Sequence, residues 1–187
     1  MNIEENVLYK GNDDKLLTLK QQTAELIYRI NHSLPSERTR IHQDVFPKLL
    51  KKLGQNSWFE TPFYCDYGQF IEIGNDCYIN HHCTIGDGGL VKIGNHVMIG
   101  PNVSIYTAEH PLEPNKRKQG WQYVQHITIE DNVWIGGNCV ILSGVTIGQN
   151  SVIGAGSVIT KSIPANVLAY GNPCQIIKEL PHEPSDK

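Results

Sequence analysis

Basic residues are not in excess in this chain: 16 Lys and Arg stand against 19 Asp and Glu among 187 residues, a formal net charge of −3. A nucleic-acid binder needs a basic face to neutralise phosphates, and this balance argues against one. Long apolar runs are missing too, so no segment approaches the roughly 20 residues of a membrane span. The opening MNIEENVLYKGNDDK lacks the apolar core of a secretory leader, so none is expected. The five cysteines are odd in number and include no Cys-x-x-Cys pair, so neither a disulfide framework nor a zinc knuckle is indicated. These absences predict a protein of a reducing, cytoplasmic setting with no nucleic-acid or membrane partner.

What the chain does have is isoleucine at a fixed interval. Ile73, Ile79 and Ile85 are followed by Ile93, Ile99 and Ile105, then by Ile129, Ile135, Ile141, Ile147, Ile153 and Ile159. A six-residue beat matches neither the helical period of 3.6 nor the strand period of 2. It is the beat of a hexapeptide β-helix, in which short strands wind into stacked coils. The fifth place of the hexad is small or β-branched, as at Cys77, Val97, Val103, Val133, Val145 and Ser151. Large first and small fifth places would fill a narrow prism without voids. Cys65, Cys77, Cys83 and Cys139 are assigned to that fifth place and read as packing residues. Glycine often follows the isoleucine, as at Gly74, Gly94, Gly100 and Gly136, and is expected to serve a turn that a Cβ would penalise. Three hexads per coil predict four coils over 73–92, 93–110, 129–146 and 147–164.

Residues 1–60 have a different texture. Leu16, Leu19, Thr23, Leu26, Ile27 and Ile30 recur at helical steps, predicting an amphipathic helix from Asp13 to about Asn31. A second is predicted to start with Ser36 as N-cap and Glu37 in the first turn, carry Ile41, Val45, Leu49 and Leu53, and end at Gly54. Such stripes need a partner surface, either the β-helix or a neighbouring subunit. The resulting division is a helical segment 1–60, a β-helix 61–170 with an inserted loop 107–126, and a tail 171–187.

Function is expected where the repeat is interrupted. Two residues are inserted between Leu90 and Ile93, and the beat is lost between Ile105 and Ile129, in a polar stretch too long for a simple turn. Trp121 and Tyr123 indicate that part of that stretch packs. His81, His82 and Cys83 resemble a metal cluster in composition, but consecutive residues face different ways on a strand, so no metal is expected there.

The segments WFETPFYCDYG (58–68), YINHHCTIGD (78–87), IGPNVSIYTAEHPL (99–112) and the run 127–180 resemble the maltose, galactoside and nodulation-factor O-acetyltransferases of the hexapeptide-repeat acyltransferase superfamily. The resemblance implies a left-handed parallel β-helix, a homotrimer, and acetyl-CoA lying in a groove between neighbouring prisms, with no metal required. It assigns His110 of the AEHP motif as the catalytic histidine and Asn80 as an orienting group. Imidazole, with an ordinary pKa of about 6.5, is suited to take a proton as a hydroxyl attacks a thioester. Asp66, Tyr78 and Asp87 fall where the family lines its acceptor pocket. Gly100, Trp134, Gly137, Ala155, Thr160, Lys161 and Lys178 fall beside its CoA groove, lysines meeting phosphates as point charges.

The chain departs from that pattern at several places. Lys10, Gly11 and Asn12 stand where some relatives carry an acidic acceptor contact, and Gly88 takes another acidic position. Gln175 replaces a common basic CoA contact, His126 a proline and Glu130 a glycine. The implied activity is acetyl transfer to a hydroxyl of a sugar or small glycoside, by direct transfer in a ternary complex. Two other readings stay open at this point: a metalloenzyme resembling the γ-class carbonic anhydrases, for which His81, His82, His96, His110 and His126 supply numbers but not spacing, and a non-catalytic β-helix scaffold.

Overall fold

The computed structural model describes residues 3–181. It is a parallel β-helix whose three faces are built from short strands that repeat once per coil. Face one stacks Lys52–Leu53, Ile71–Ile73, Val91–Ile93, Ile127–Ile129 and Thr146–Ile147, with an isolated bridge from Ile147 to Ile163. Face two stacks Trp58–Phe59, Tyr78–Ile79, Met98–Ile99, Trp134–Ile135, Val152–Ile153 and Val167–Tyr170, and Gln175–Glu179 closes it antiparallel. Face three stacks Phe63–Cys65, Cys83–Gly86, Ser104–Tyr106, Val140–Ile141 and Val158–Ile159. The registers align like with like: Ile73 on Ile93 on Ile129 on Ile147, and Ile79 on Ile99 on Ile135 on Ile153. Each of these isoleucines is buried, and such burial contributes roughly 1.5–3 kcal/mol per side chain.

The β-helix is longer than the isoleucine beat indicates, with six parallel strands on face two. An extra coil precedes the first isoleucine, beginning at Lys52 and not near Thr61, with Leu53 and Phe59 in the isoleucine places. Another follows the last, with Ile163, Val167 and Ala169 turned inward. Leu53 therefore belongs to a strand and not to a helix. Cys65 also changes place: Phe63 lies opposite Cys83 and Cys65 opposite Ile85, so phenylalanine fills the fifth place and Cys65 the first. The reason is a coil of twenty residues here, which shifts the register by two. Cys77, Cys83 and Cys139 are buried at fifth places, and burial pushes the Cys83 thiol up to about 11.

The glycines that follow isoleucine do not make the turns. Positive φ falls two residues later, on Asp76, His96, Asn102, Asn138 and Asn150, and at the same place after Asn80, Glu130 and Pro164, on His82, Asn132 and Asn166. What requires Gly100 is the next coil: a Cβ there would lie 2.5 Å from the Gly137 nitrogen. Coil-to-coil spacing sets the choice, close to 4.8 Å in a β-ladder.

Helix α1 (Asp14–Asn31) starts at Asp13, whose carboxylate accepts from the Lys15 and Leu16 amides, and buries Leu16, Thr23, Ile27 and Ile30. It is tied to face three by a reciprocal pair, Asn31 Nδ2 to the Phe63 carbonyl and the Phe63 amide to Asn31 Oδ1, each 2.9 Å. The second helix is broken into a 3-10 turn Pro35–Glu37, α2 (Arg38–Asp44) and α3 (Phe46–Leu49). Leu34, not Ser36, holds the cap position, because Pro35 occupies the first helical place where its missing N–H costs nothing. Phe46, stacked 4.7 Å from Phe59, and Leu49 close the lower end of the prism.

Candidate active site

Every irregularity of the repeat falls at one corner, where face three hands over to face one. The first coil carries Asp66–Phe70 there and the second Asp87–Leu90, so that the steps from Cys65 to Ile73 and from Ile85 to Ile93 are each two residues longer than a plain hexad. The third carries the whole insertion between Tyr106 and Ile127, and the last a shortened turn through Thr160 and Lys161. The insertion is structured: strands Ala108–Glu109 and Trp121–Val124 form an antiparallel hairpin around helix α4 (Pro114–Lys118), and the N-terminal strand Tyr9–Lys10 adds to its edge. Val124 is fully buried, and Lys10 lies over the Trp121 ring at 5.3 Å.

The resemblance implies an acceptor pocket for Asp87, but the residue is buried with 0 % exposure. Its Oδ1 accepts the amides of Asp66 and Tyr67 at 2.9 Å each, and its Oδ2 that of Phe70 at 3.4 Å. It staples the second wide corner to the first and presents no surface to a ligand. Burial raises its pKa to about 7, with the Asp66 charge adding and the Tyr67 and Asp66 amides opposing. An acid whose folded value lies above its unfolded one contributes stability present below about pH 4 and lost as pH rises through 7. Asp87→Asn should therefore remove a few kcal/mol of pH-dependent difference between pH 4 and 8. Chemical denaturation of both proteins across that range checks it; parallel curves would refute the assignment of that slope to Asp87.

Asp66 stands at the same corner, half-buried and paired with Lys20 at 2.7 Å. Gly88 sits beneath the hairpin: a Cβ there would meet Val124 Cγ1 at 3.1 Å and the Tyr9 hydroxyl at 3.2 Å. That hydroxyl is buried, and burial, with the nearby Tyr67 adding and Gln122 opposing, pushes its pKa up to about 12. His110 follows the hairpin strand and is exposed, as are Thr160 and Lys161 on the same corner of the last full coil.

The remaining candidates lie on face two or on the corner between faces two and three. Asn80, Gly100, Gly137 and Ala155 stack at that corner; Ala155 is exposed and the other three are half-buried. Asn80 Oδ1 accepts the His81 amide at 2.8 Å, which folds its side chain onto its own corner. The run Gly100, Gly136-Gly137, Gly154-Ala155 leaves backbone bare along that edge. Tyr78, Met98 and Trp134 form an outward ladder on face two, 40 %, 53 % and 51 % exposed. Lys178 is exposed on the closing strand of that face. His110 and Asn80 thus stand at opposite edges of face three, separated by a strand of one coil. Among the described residues no group of three or more His, Cys, Asp and Glu gathers as metal ligands, and no helix is long and apolar enough to cross a membrane.

Residues 126–161 match the family model described as bacterial transferase hexapeptide (six repeats). The galactoside O-acetyltransferase of Escherichia coli strain K12 is 47 % identical over 155 residues, covering 83 % of this chain and 76 % of that protein. The chain belongs to the hexapeptide-repeat acetyltransferases. Within that family, the solved maltose O-acetyltransferase from Clostridium difficile 630 superposes with a TM-score of 0.91 at 40 % identity, covering 94 % of this chain and 93 % of its own. A hexapeptide-repeat containing acetyltransferase from Vibrio cholerae O1 biovar eltor, solved complexed with acetyl-CoA, gives 0.86 at 38 % identity, covering 93 % of each chain.

The site contains groups that spacing did not reveal. The Glu109 carboxylate accepts hydrogen bonds from Ser143 and Tyr123, and Thr107, fully buried, donates to the Gly86 carbonyl at 2.6 Å while accepting from the Gly89 amide at 2.8 Å. The clustering of all length changes at one corner was the available signal for Thr107. Nothing in the hexad marks Ser143, which is 34 residues from Glu109.

Proposed function

We propose that this protein transfers the acetyl group of acetyl-CoA to a hydroxyl of a sugar or small glycoside, directly and in a ternary complex, with His110 as general base. The observation that carries the reading is the placement of His110, exposed at the end of a structured hairpin that interrupts an otherwise regular β-helix. Its relatives named as galactoside and maltose O-acetyltransferases support the acceptor class, and the acetyl-CoA complex of the Vibrio cholerae protein supports the donor.

Acetyl-CoA supplies an acyl carbon activated by its thioester. The His110 imidazole takes the proton of the acceptor hydroxyl as that oxygen forms a bond to the acyl carbon, and it returns the proton to the sulfur as the carbon–sulfur bond breaks. No acetylated residue is formed on the chain. Asn80 orients, and the bare edge at Gly100, Gly137 and Ala155 admits a slender chain against the backbone. Lys161 and Lys178, which form no ion pair among the described residues, meet phosphate charge.

The division of the candidates between two edges supports a site shared by copies: the hairpin edge of one prism facing the glycine edge of the next. A homotrimer closes such a head-to-tail contact into a ring. The exposed Tyr78–Met98–Trp134 ladder suits a surface covered by a neighbour or a ligand.

The direct test is release of CoA from acetyl-CoA across glucose, maltose, galactosides, glucosamine derivatives and amino alcohols, read by mass spectrometry because the five thiols would react with a thiol dye. Release that depends on a hydroxyl acceptor, with a gain of one acetyl group on it, is expected. Acetyl-CoA turnover insensitive to every acceptor would refute the reading.

A further inference from the structure

The residue before His110 carries a carboxylate whose two oxygens are both engaged. Glu109 lies opposite Tyr123 across the hairpin, and its Oε2 accepts the Tyr123 hydroxyl at 2.6 Å. Its Oε1 accepts the hydroxyl of Ser143, which stands on the same corner one coil further along. One side chain thus joins the hairpin strand to its partner strand and to the body of the prism. These two hydrogen bonds, that from Ser143 foremost, hold the carboxyl below its usual pKa, so it is ionised at neutral pH.

The other flank of His110 is held as well. Pro111 confines the preceding residue to extended backbone. The Pro111 and Leu112 carbonyls both accept from Arg117 Nη1, at 2.8 and 2.6 Å, so α4 anchors the chain just after the histidine. In extended backbone neighbouring side chains point to opposite sides. With Glu109 turned inward onto Ser143, His110 is turned outward, which agrees with its exposure.

We propose that Glu109 is a positioning residue for His110: through Ser143 and Tyr123 it fixes the hairpin backbone at the depth and angle from which the imidazole meets the acceptor hydroxyl. This rests on the reading of His110 as the base. Glu109 itself touches no substrate in this scheme. Displacing a reacting group by about 1 Å costs on the order of 10²-fold, so a loosened hairpin should slow the chemical step and leave acetyl-CoA binding alone.

The test uses the full chain with Glu109→Ala, Glu109→Gln and Ser143→Ala beside wild type and His110→Ala, with maltose and methyl β-galactoside as acceptors. E109A should lower kcat roughly 10–100-fold, with the KM for acetyl-CoA within about twofold, and S143A should fall between it and wild type. E109Q should recover most of the loss, because an amide offers one acceptor and one donor and each hydroxyl can play either part. The carbon-13 Cε1 resonance of His110, assigned by its absence in H110A, is a readout that needs no turnover: it should shift or broaden in E109A and return in E109Q. Wild-type kcat in E109A, a loss seen only in KM, an unmoved His110 resonance, or E109Q as slow as E109A would each overturn the proposal. If H110A turns over like wild type, the failure belongs to the base assignment and not to the clamp.

Discussion

Replacing His110 with alanine is expected to lower turnover by about 10²–10⁴-fold while leaving the KM for acetyl-CoA and the thermal midpoint close to wild type. The size follows from the chemistry. An alcohol is a poor nucleophile at neutral pH, and without a positioned base its proton must leave to water. The fold should not notice, because the side chain is exposed while the buried residues of the hairpin segment, Pro111 and Val124, are left in place. Acetyl-CoA affinity should persist because the candidate groove residues Gly100, Gly137 and Ala155 sit on another edge, and Thr160 and Lys161, on the same corner, belong to the last full coil and not to the hairpin. Initial rates over a range of both substrates, with a melting curve on the same preparation, separate these effects. A variant that turns over normally would remove His110 from the mechanism, whereas one that melts early would make the residue structural.

The core was legible because a six-residue period leaves few architectures, and the inward isoleucines stack in register from Ile73 to Ile159. The first and last coils were not, because there Leu53, Phe59 and Ala169 fill places that isoleucine marks elsewhere, and because coil lengths of twenty and sixteen shift the count, so that Ile163 falls off the six-residue beat. The glycines were seen but given the wrong cause. Spacing alone does not separate a residue that must turn from one that must let a neighbouring strand approach, and only the latter applies to Gly100. Asp87 departs from its expected place for a related reason: it stands at the corner that carries the length changes, but its carboxylate is consumed by three amides of the preceding coil. Membership of a corner is written in the hexad; which way a side chain at that corner is drawn depends on partners about twenty residues away.

The partition of His110 and Asn80 between two edges leads to the second large effect. If each site takes its histidine from one chain and its asparagine from the next, His110→Ala and Asn80→Ala are separately inactive but complement each other when mixed in one trimer. Co-expressing the two with different tags and purifying through both tags in turn leaves only mixed trimers. In a closed ring of three, either mixed composition contains a single interface with the intact histidine facing the intact asparagine, so about a third of wild-type activity should return. A site built within one chain predicts the opposite, since every chain then carries one lesion and mixing restores nothing. A mass of one chain in equilibrium sedimentation would remove the premise. Recovery near a third would establish both the head-to-tail order and the division of labour, because a symmetric face-to-face contact does not close three copies into a ring.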